Sequence, residues 1–104
     1  MDIPVGLLTE LCKKYKIKLM ILFGSCAMDR YKADSDIDLA IYADDIEIIQ
    51  EKKMLLLNKM SEIFNYKDID LILLNRANSL LKSNIAREGW LIYEKKEGLY
   101  RKFQ

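Results

Sequence analysis

The chain contains no histidine. That single absence removes Ser-His-Asp and Cys-His catalysis, His-ligated zinc and imidazole acid–base chemistry together. Chemistry performed by this chain alone must therefore use carboxylates, hydroxyls, thiols, amines or a bound ion. Cysteine is scarce too: Cys12 and Cys26 are the only two and form no C-x-x-C pair. Two isolated thiols in an ordinary core point to a reducing, cytoplasmic setting rather than a disulfide framework. Long hydrophobic runs are missing; the longest, Leu19–Phe23, is far too short to cross a bilayer. The opening "MDIPVGLLTELC" has an acid at position 2 and no basic start, so it does not read as a secretory signal. Nor is there an excess of either charge. With 17 Lys and Arg against 16 Asp and Glu the net charge is +1, which argues against direct nucleic-acid binding. The one basic concentration, Lys13–Lys18, reads as a helix C-terminus complementing the macrodipole. A chain of 104 residues is expected to form one domain, 1–104, with no room for a second unit that holds a large acceptor.

What is present is strong periodicity. Val5, Leu8, Leu11, Cys12 and Tyr15 fall at helical spacing behind Pro4, which suits a first turn. "KLMILF" (18–23) is a short strand ending at Gly24, and Ala27–Tyr31 is a candidate helical turn. "DIDLAIY" (36–42) alternates as a strand, and a long apolar stripe from about Asp45 to Asn65 predicts one helix capped by Asp45. "DIDLILL" (68–74) repeats the first strand's design. Ser79–Glu88 reads as a helix closed by Gly89, and "WLIYE" (90–94) as a last strand. The final ten residues are polar enough to fray or to dock on something. The order predicts an α/β (α+β) domain, a mixed β-sheet flanked by helices.

Both "DID" strands set acids on one face and aliphatics on the other. Asp36 and Asp38 oppose Ile37, Leu39 and Ile41; Asp68 and Asp70 oppose Ile69, Leu71 and Leu73. One such strand alone reads equally well as a sheet with a solvated face. If the two strands are neighbours with matched apolar faces, Asp70 stands beside Asp36 and Asp38. Three crowded carboxylates resist ionisation, and a divalent cation resolves the conflict. Oxygen ligands without histidine select a hard ion, magnesium or manganese. Just upstream, Gly24-Ser25 ends the first strand ahead of the candidate helical turn, a placement that suits phosphate oxygens. Asp34 and Asp68 read as loop or strand-edge acids, and Asp44-Asp45 as a helix cap.

Gly24-Ser25, ten residues, then Asp36-Ile37-Asp38, with Ile69-Asp70-Leu71 on a later strand, resembles the signature of the DNA polymerase β-like nucleotidyltransferase superfamily. The length and the ending "AREGWLIYE" resemble its minimal nucleotidyltransferase (MNT) branch. The resemblance implies a polymerase β-like catalytic domain in which Asp36, Asp38 and Asp70 are catalytic and hold two Mg²⁺ ions, with Mn²⁺ as a substitute. Gly24 and Ser25 would grip the phosphates of ATP or another nucleoside triphosphate. Arg30 would supply charge, because Met28 stands where relatives commonly carry arginine. Asp70 would help to activate an acceptor hydroxyl for attack on the α-phosphate.

The MNT resemblance also implies a partner, a HEPN-domain toxin, with AMP transferred to one of its tyrosines so that the chain acts as antitoxin within a homo- or hetero-oligomer. Two alternatives stand beside this reading. One is a catalytically weak module that silences a HEPN partner by binding it; the other is a nucleotidyltransferase for a small molecule. Arg76, Arg87 and Trp90 are candidates for the acceptor side or a partner surface.

Overall fold

Strand β1 (Ile17–Phe23) is flanked by β2 (Ile37–Ala43) and β4 (Trp90–Glu94), both antiparallel to it. Strand β3 (Ile69–Leu73) joins the far side of β2 in parallel, which gives the mixed sheet the order β3-β2-β1-β4. The computed structural model describes residues 3–24 and 36–103. The candidate turn Ala27–Tyr31 lies outside these, as do Ser25, Cys26, Met28, Arg30 and Asp34.

Helices cover the sheet on both sides, as the alternation of its strands requires. Helix α1 (Val5–Lys14) starts at Pro4 as its N-cap and buries Leu8, Leu11 and Cys12. These side chains meet Met20 and Leu22 of β1, and Ile37, Leu39 and Ile41 of β2, in the main core. The same core takes Ile49 of α2 (Ile46–Glu51) and Leu56 and Met60 of α3 (Lys53–Ile63). The opposite face carries a smaller cluster: Leu19 and Ile21 of β1, Ala40 of β2, Leu74, and Ile85 of α4 (Ser79–Glu88). Gly89, just after α4, permits this contact, since a Cβ there would come within 2.3 Å of Ile21 Cγ2 and 2.6 Å of the Ile85 carbonyl oxygen. Any larger residue would push the helix off the sheet.

One expectation needs correction, and one open alternative is decided. The helix predicted over Asp45–Asn65 is two helices, broken at Lys52 (φ −104°, ψ 19°). Asp45 does cap the start, its Oδ1 accepting from the Glu47 and Ile48 amides. Residues 50–55 are all exposed, so between Ile49 and Leu56 nothing ties the chain to the core, and each piece docks through its own anchor. The C-terminal segment docks rather than frays. Glu94 accepts from the Gly98 and Tyr100 amides, and the Tyr100 hydroxyl donates to the Ala86 carbonyl at 2.8 Å. This seats α5 (Leu99–Phe103) against the end of α4.

The sheet has a polar end. β2 and β3 are parallel, so their N-termini lie together, and antiparallel β1 brings Gly24 to the same place. Among the described residues, no helix is long and apolar enough to cross a membrane.

Candidate active site

The register of β2 and β3 builds the site. Ile37 pairs with Ile69, Asp38 with Asp70 and Leu39 with Leu71. The aliphatics of both strands enter the main core, so the two aspartates share the other face. The pairing begins just outside β3, where the Ile37 amide donates to the Asp68 carbonyl at 2.9 Å. It continues past the far end, where Asn75 imitates a strand: its Nδ2 donates to the Ala43 carbonyl at 2.8 Å and its Oδ1 accepts from the Ala43 amide at 3.1 Å. Clamped at both ends, the two strands cannot slip, and a slip of one residue would send one aspartate into the core.

Gly24 completes the near wall. It lies at φ +76°, and a Cβ built on it would fall 2.2 Å from Asp38 Oδ2. The Asp38 carboxylate thus occupies the space a side chain would fill, directly over the glycine backbone. Asp38 is half-buried, whereas Asp36 and Asp70 are exposed. Its carboxyl is held above the ordinary carboxylate range, first by burial, then by the charge of Asp70 and a hydrogen bond with it, then by the charge of Asp36. A carboxyl in that setting calls for a proton or a cation.

Of the residues singled out by sequence, Gly24, Asp38 and Asp70 come together. Asp36 precedes β2 by one residue and acts on Asp38 through its charge. Among the described residues, no group of three or more Cys, Asp and Glu side chains is gathered in metal-ligating fashion. Ser25 and Arg30 lie outside the described residues. Asp68 contributes a backbone carbonyl to the strand pairing, and Asp44 pairs with Lys18 at 2.6 Å at the other end of β2. Arg76 falls in the turn after β3, also at that far end, which removes it from the acceptor side. Arg87 and Trp90 lie at the site end, with the Arg87 guanidinium donating to Asn84 Oδ1 at 2.8 Å. Cys12 is inert: burial pushes its thiol up to about 12.

A groove of about 420 Å³ lies elsewhere, between α1 and α3, lined by Leu7, Leu11 and Ile63 and rimmed by Glu10, Lys14, Lys59 and Glu62. It holds opposed charges and an apolar floor, with no converging acids, so the chemistry belongs to the sheet end.

Sequence reasoning missed the left-handed turn into β3, where Asn65 and Tyr66 lie at φ 59° and 65° and Tyr66 is 79% exposed. The available signal was Asn65-Tyr66 directly after a helical stripe, where a left-handed residue commonly ends the helix.

Comparison with known proteins bears on the family and the fold. The family model described as "Polymerase beta, Nucleotidyltransferase" matches residues 7–98. The protein adenylyltransferase MntA of Aphanizomenon flos-aquae (strain 2012/KM1/D3) is 32% identical over 96 residues, covering 85% of this chain. The chain spans 64% of that curated relative's length. A crystal structure of a toxin–antitoxin with AMP-PNP superposes with a TM-score of 0.76 at 24% identity, covering 96% of this chain and 80% of that one. The complex of tri-AMPylated Shewanella oneidensis HEPN toxin with its MNT antitoxin gives 0.66 at 23% identity, covering 95% and 76%. At such identities these two structures speak for the fold. With the match running through nearly the whole sheet and both acidic strands, the chain belongs to the polymerase beta nucleotidyltransferase family.

Proposed function

We propose that this chain is a Mg²⁺-dependent protein adenylyltransferase that transfers AMP from ATP to a hydroxyl, a tyrosine of a HEPN-domain partner, and so acts as an antitoxin. The observation that carries this is the Asp38–Asp70 register pair beside the bare backbone of Gly24. The resemblance to the MntA adenylyltransferase supports the acceptor class.

The donor set fits a hard divalent cation: carboxylate oxygens only, one of them reluctant to ionise without a positive charge nearby. Asp36, Asp38 and Asp70 would hold it, and when bound it would supply charge neutralisation for the triphosphate and the departing pyrophosphate. The chain's own contribution is placement. Gly24 lets the backbone approach phosphate oxygens closely, with Ser25 next to it in sequence as a further donor. Asp70, on the exposed side of the pair, faces the approach of an acceptor and orients its hydroxyl. Fixed strands hold these groups before substrate arrives, which lowers the ordering cost of reaction.

The test is to incubate the protein with its cognate HEPN-domain protein, Mg²⁺, and ATP labelled at the α-phosphate. Label should pass to the partner and pyrophosphate should appear in equal amount. Label that remains on nucleotide while the partner is still silenced would establish the binding-module reading instead.

A further inference from the structure

The end of the sheet away from the aspartates gathers charge of the opposite sign. A cavity of about 300 Å³ opens there, lined by Lys18, Asp44, Lys95, Lys96 and Leu99. The Lys95 amide donates to the Lys18 carbonyl at 2.8 Å, so the antiparallel pairing of β1 with β4 continues into the cavity and sets the two lysines opposite each other. Like charges placed this way destabilise a sheet. Asp44 lies six residues beyond Asp38, which puts the cavity roughly 20 Å from the acidic pair.

The acids nearby do not relieve the imbalance, because each is engaged elsewhere. Asp44 pairs with Lys18 at 2.6 Å. Asp45 Oδ1 accepts from the Glu47 and Ile48 amides. Glu94 accepts from the Gly98 and Tyr100 amides, and Glu97 lines a separate cavity with Leu91 and Arg101. Among the described residues, Lys95 and Lys96 form no ion pair. Three ammonium groups thus share one carboxylate around the cavity, and two positive charges are left over. The setting is firm: the Leu99 amide donates to the Lys96 carbonyl at 3.0 Å, and Leu99 packs on the smaller core cluster. An apolar floor strengthens charge interactions above it.

We propose that this cavity is a second anion site, separate from the acidic end, and that it holds a phosphate group. A phosphate monoester carries a charge of about −1.5 to −2 at neutral pH and presents three acceptor oxygens, which matches three ammonium groups with a surplus of two charges. A carboxylate brings a single charge, and Asp44 shows how one is taken here, by one lysine. The volume stands at the lower limit of ligand sites, about 300 Å³, so the occupant is phosphate itself or a small phosphorylated molecule. The acidic end repels such an anion unless a cation is bound. The lysine cavity needs none.

The experiment titrates the full chain in EDTA at low ionic strength with inorganic phosphate, with AMP and with acetate, followed by NMR shifts of the backbone amides. Phosphate and AMP should bind, acetate far more weakly, with the shifts centred on Lys18, Asp44, Lys95 and Lys96. Equal affinity for phosphate and AMP assigns the site to the bare group, and tighter AMP names a nucleotide as its source; both support the proposal. Lys95→Gln with Lys96→Gln should weaken binding by a factor of about ten or more, at an unchanged thermal midpoint. Asp44→Asn removes the internal competitor and should tighten binding by about fivefold, a gain that damage to the fold cannot produce. Asp38→Asn should leave it unchanged. Absence of binding by both phosphate and AMP would overturn the proposal, as would an Asp44→Asn protein that binds no tighter than wild type. So would an equal loss in Lys52→Gln with Lys53→Gln, an exposed pair remote from the cavity, which would reduce the effect to general surface charge. Shifts centred on Gly24 and Asp70 instead would place the anion at the acidic end and end the proposal too.

Discussion

Asp38 and Asp70 are register partners on adjacent parallel strands, with carboxyl groups near enough to share a hydrogen bond. Nothing in the surrounding sheet requires acids there; an aliphatic pair at the same register would stabilise the strands better. The fold instead brings two like charges together and buries one of them in part. That arrangement has a direct consequence for how stability varies with pH.

Asp38 keeps its proton to higher pH in the native state than in the unfolded chain, because of burial, then Asp70, then Asp36. Between the unfolded value and the raised native one, the native state binds more protons. Stability therefore falls as pH rises through that window and stays lower above it. Urea titrations in EDTA from pH 3 to pH 8 should show this fall for wild type. Asp38→Asn should flatten it and be the more stable protein at pH 7. A variant that matches wild type at pH 7 and keeps its slope would show that Asp38 carries no such strain.

The same strain should be relieved by ligand. Mg²⁺ with ATP at ten times its dissociation constant should stabilise the native state by about 1.4 kcal/mol, or a rise of roughly 6–11 °C in a domain of this size. Asp36→Asn combined with Asp38→Asn should abolish the rise while leaving the ligand-free midpoint equal to or above that of wild type. If the doubly substituted protein shows the full rise in a thermal-shift measurement, the cation and nucleotide sit elsewhere.

Gly24→Ala separates stability from chemistry. The new Cβ would overlap Asp38 Oδ2 and would place an alanine at φ +76°. The clash is with the end of a side chain, which can turn aside, so the folding cost should be that of the backbone, about 1–2 kcal/mol. The site, however, loses both the close backbone approach and the position of Asp38. Circular dichroism should show a folded protein with a midpoint several degrees lower, and labelling of the partner should fall at least a hundredfold. Activity within a few-fold of wild type would mean that the glycine serves only the turn.

Period-two alternation made the acidic site legible in the sequence, because "DIDLAI" and "IDLIL" place their aliphatics in one core and so fix which way the aspartates face. The absence of histidine led from the same acids to the expectation of a hard cation. The break at Lys52 was harder to see, since residues 50–53 contain neither proline nor glycine; the one signal was a gap in the apolar stripe, where Gln50, Glu51, Lys52 and Lys53 offer the core nothing. Docking of the tail depends on Tyr100 reaching the end of α4, fourteen residues earlier, and a polar composition carries no trace of that. Tyr66 was missed for a related reason: its exposure follows from a left-handed turn, which tyrosine rarely adopts and which no periodicity announces.

The two aspartates of the register pair should fail differently when removed. Asp38 is the half-buried member, overlying Gly24 and coupled to Asp36, whereas Asp70 is exposed on the outer strand of the sheet. Nucleotide and cation held by Asp36 and Asp38 should therefore survive the loss of Asp70 in large part. The acceptor hydroxyl, arriving from the exposed side, should lose the group that orients it. Asp70→Ala is expected to bind Mg²⁺-ATP within about tenfold of wild type, while kcat for labelling the HEPN-domain protein falls by a thousandfold or more, a loss of about 4 kcal/mol in transition-state stabilisation. It should also ease the repulsion on Asp38, so its ligand-free midpoint at pH 7 should equal or exceed that of wild type. Calorimetry with ATP and single-turnover labelling decide the matter together. Equal losses in binding and in rate would place Asp70 with the nucleotide rather than with the acceptor.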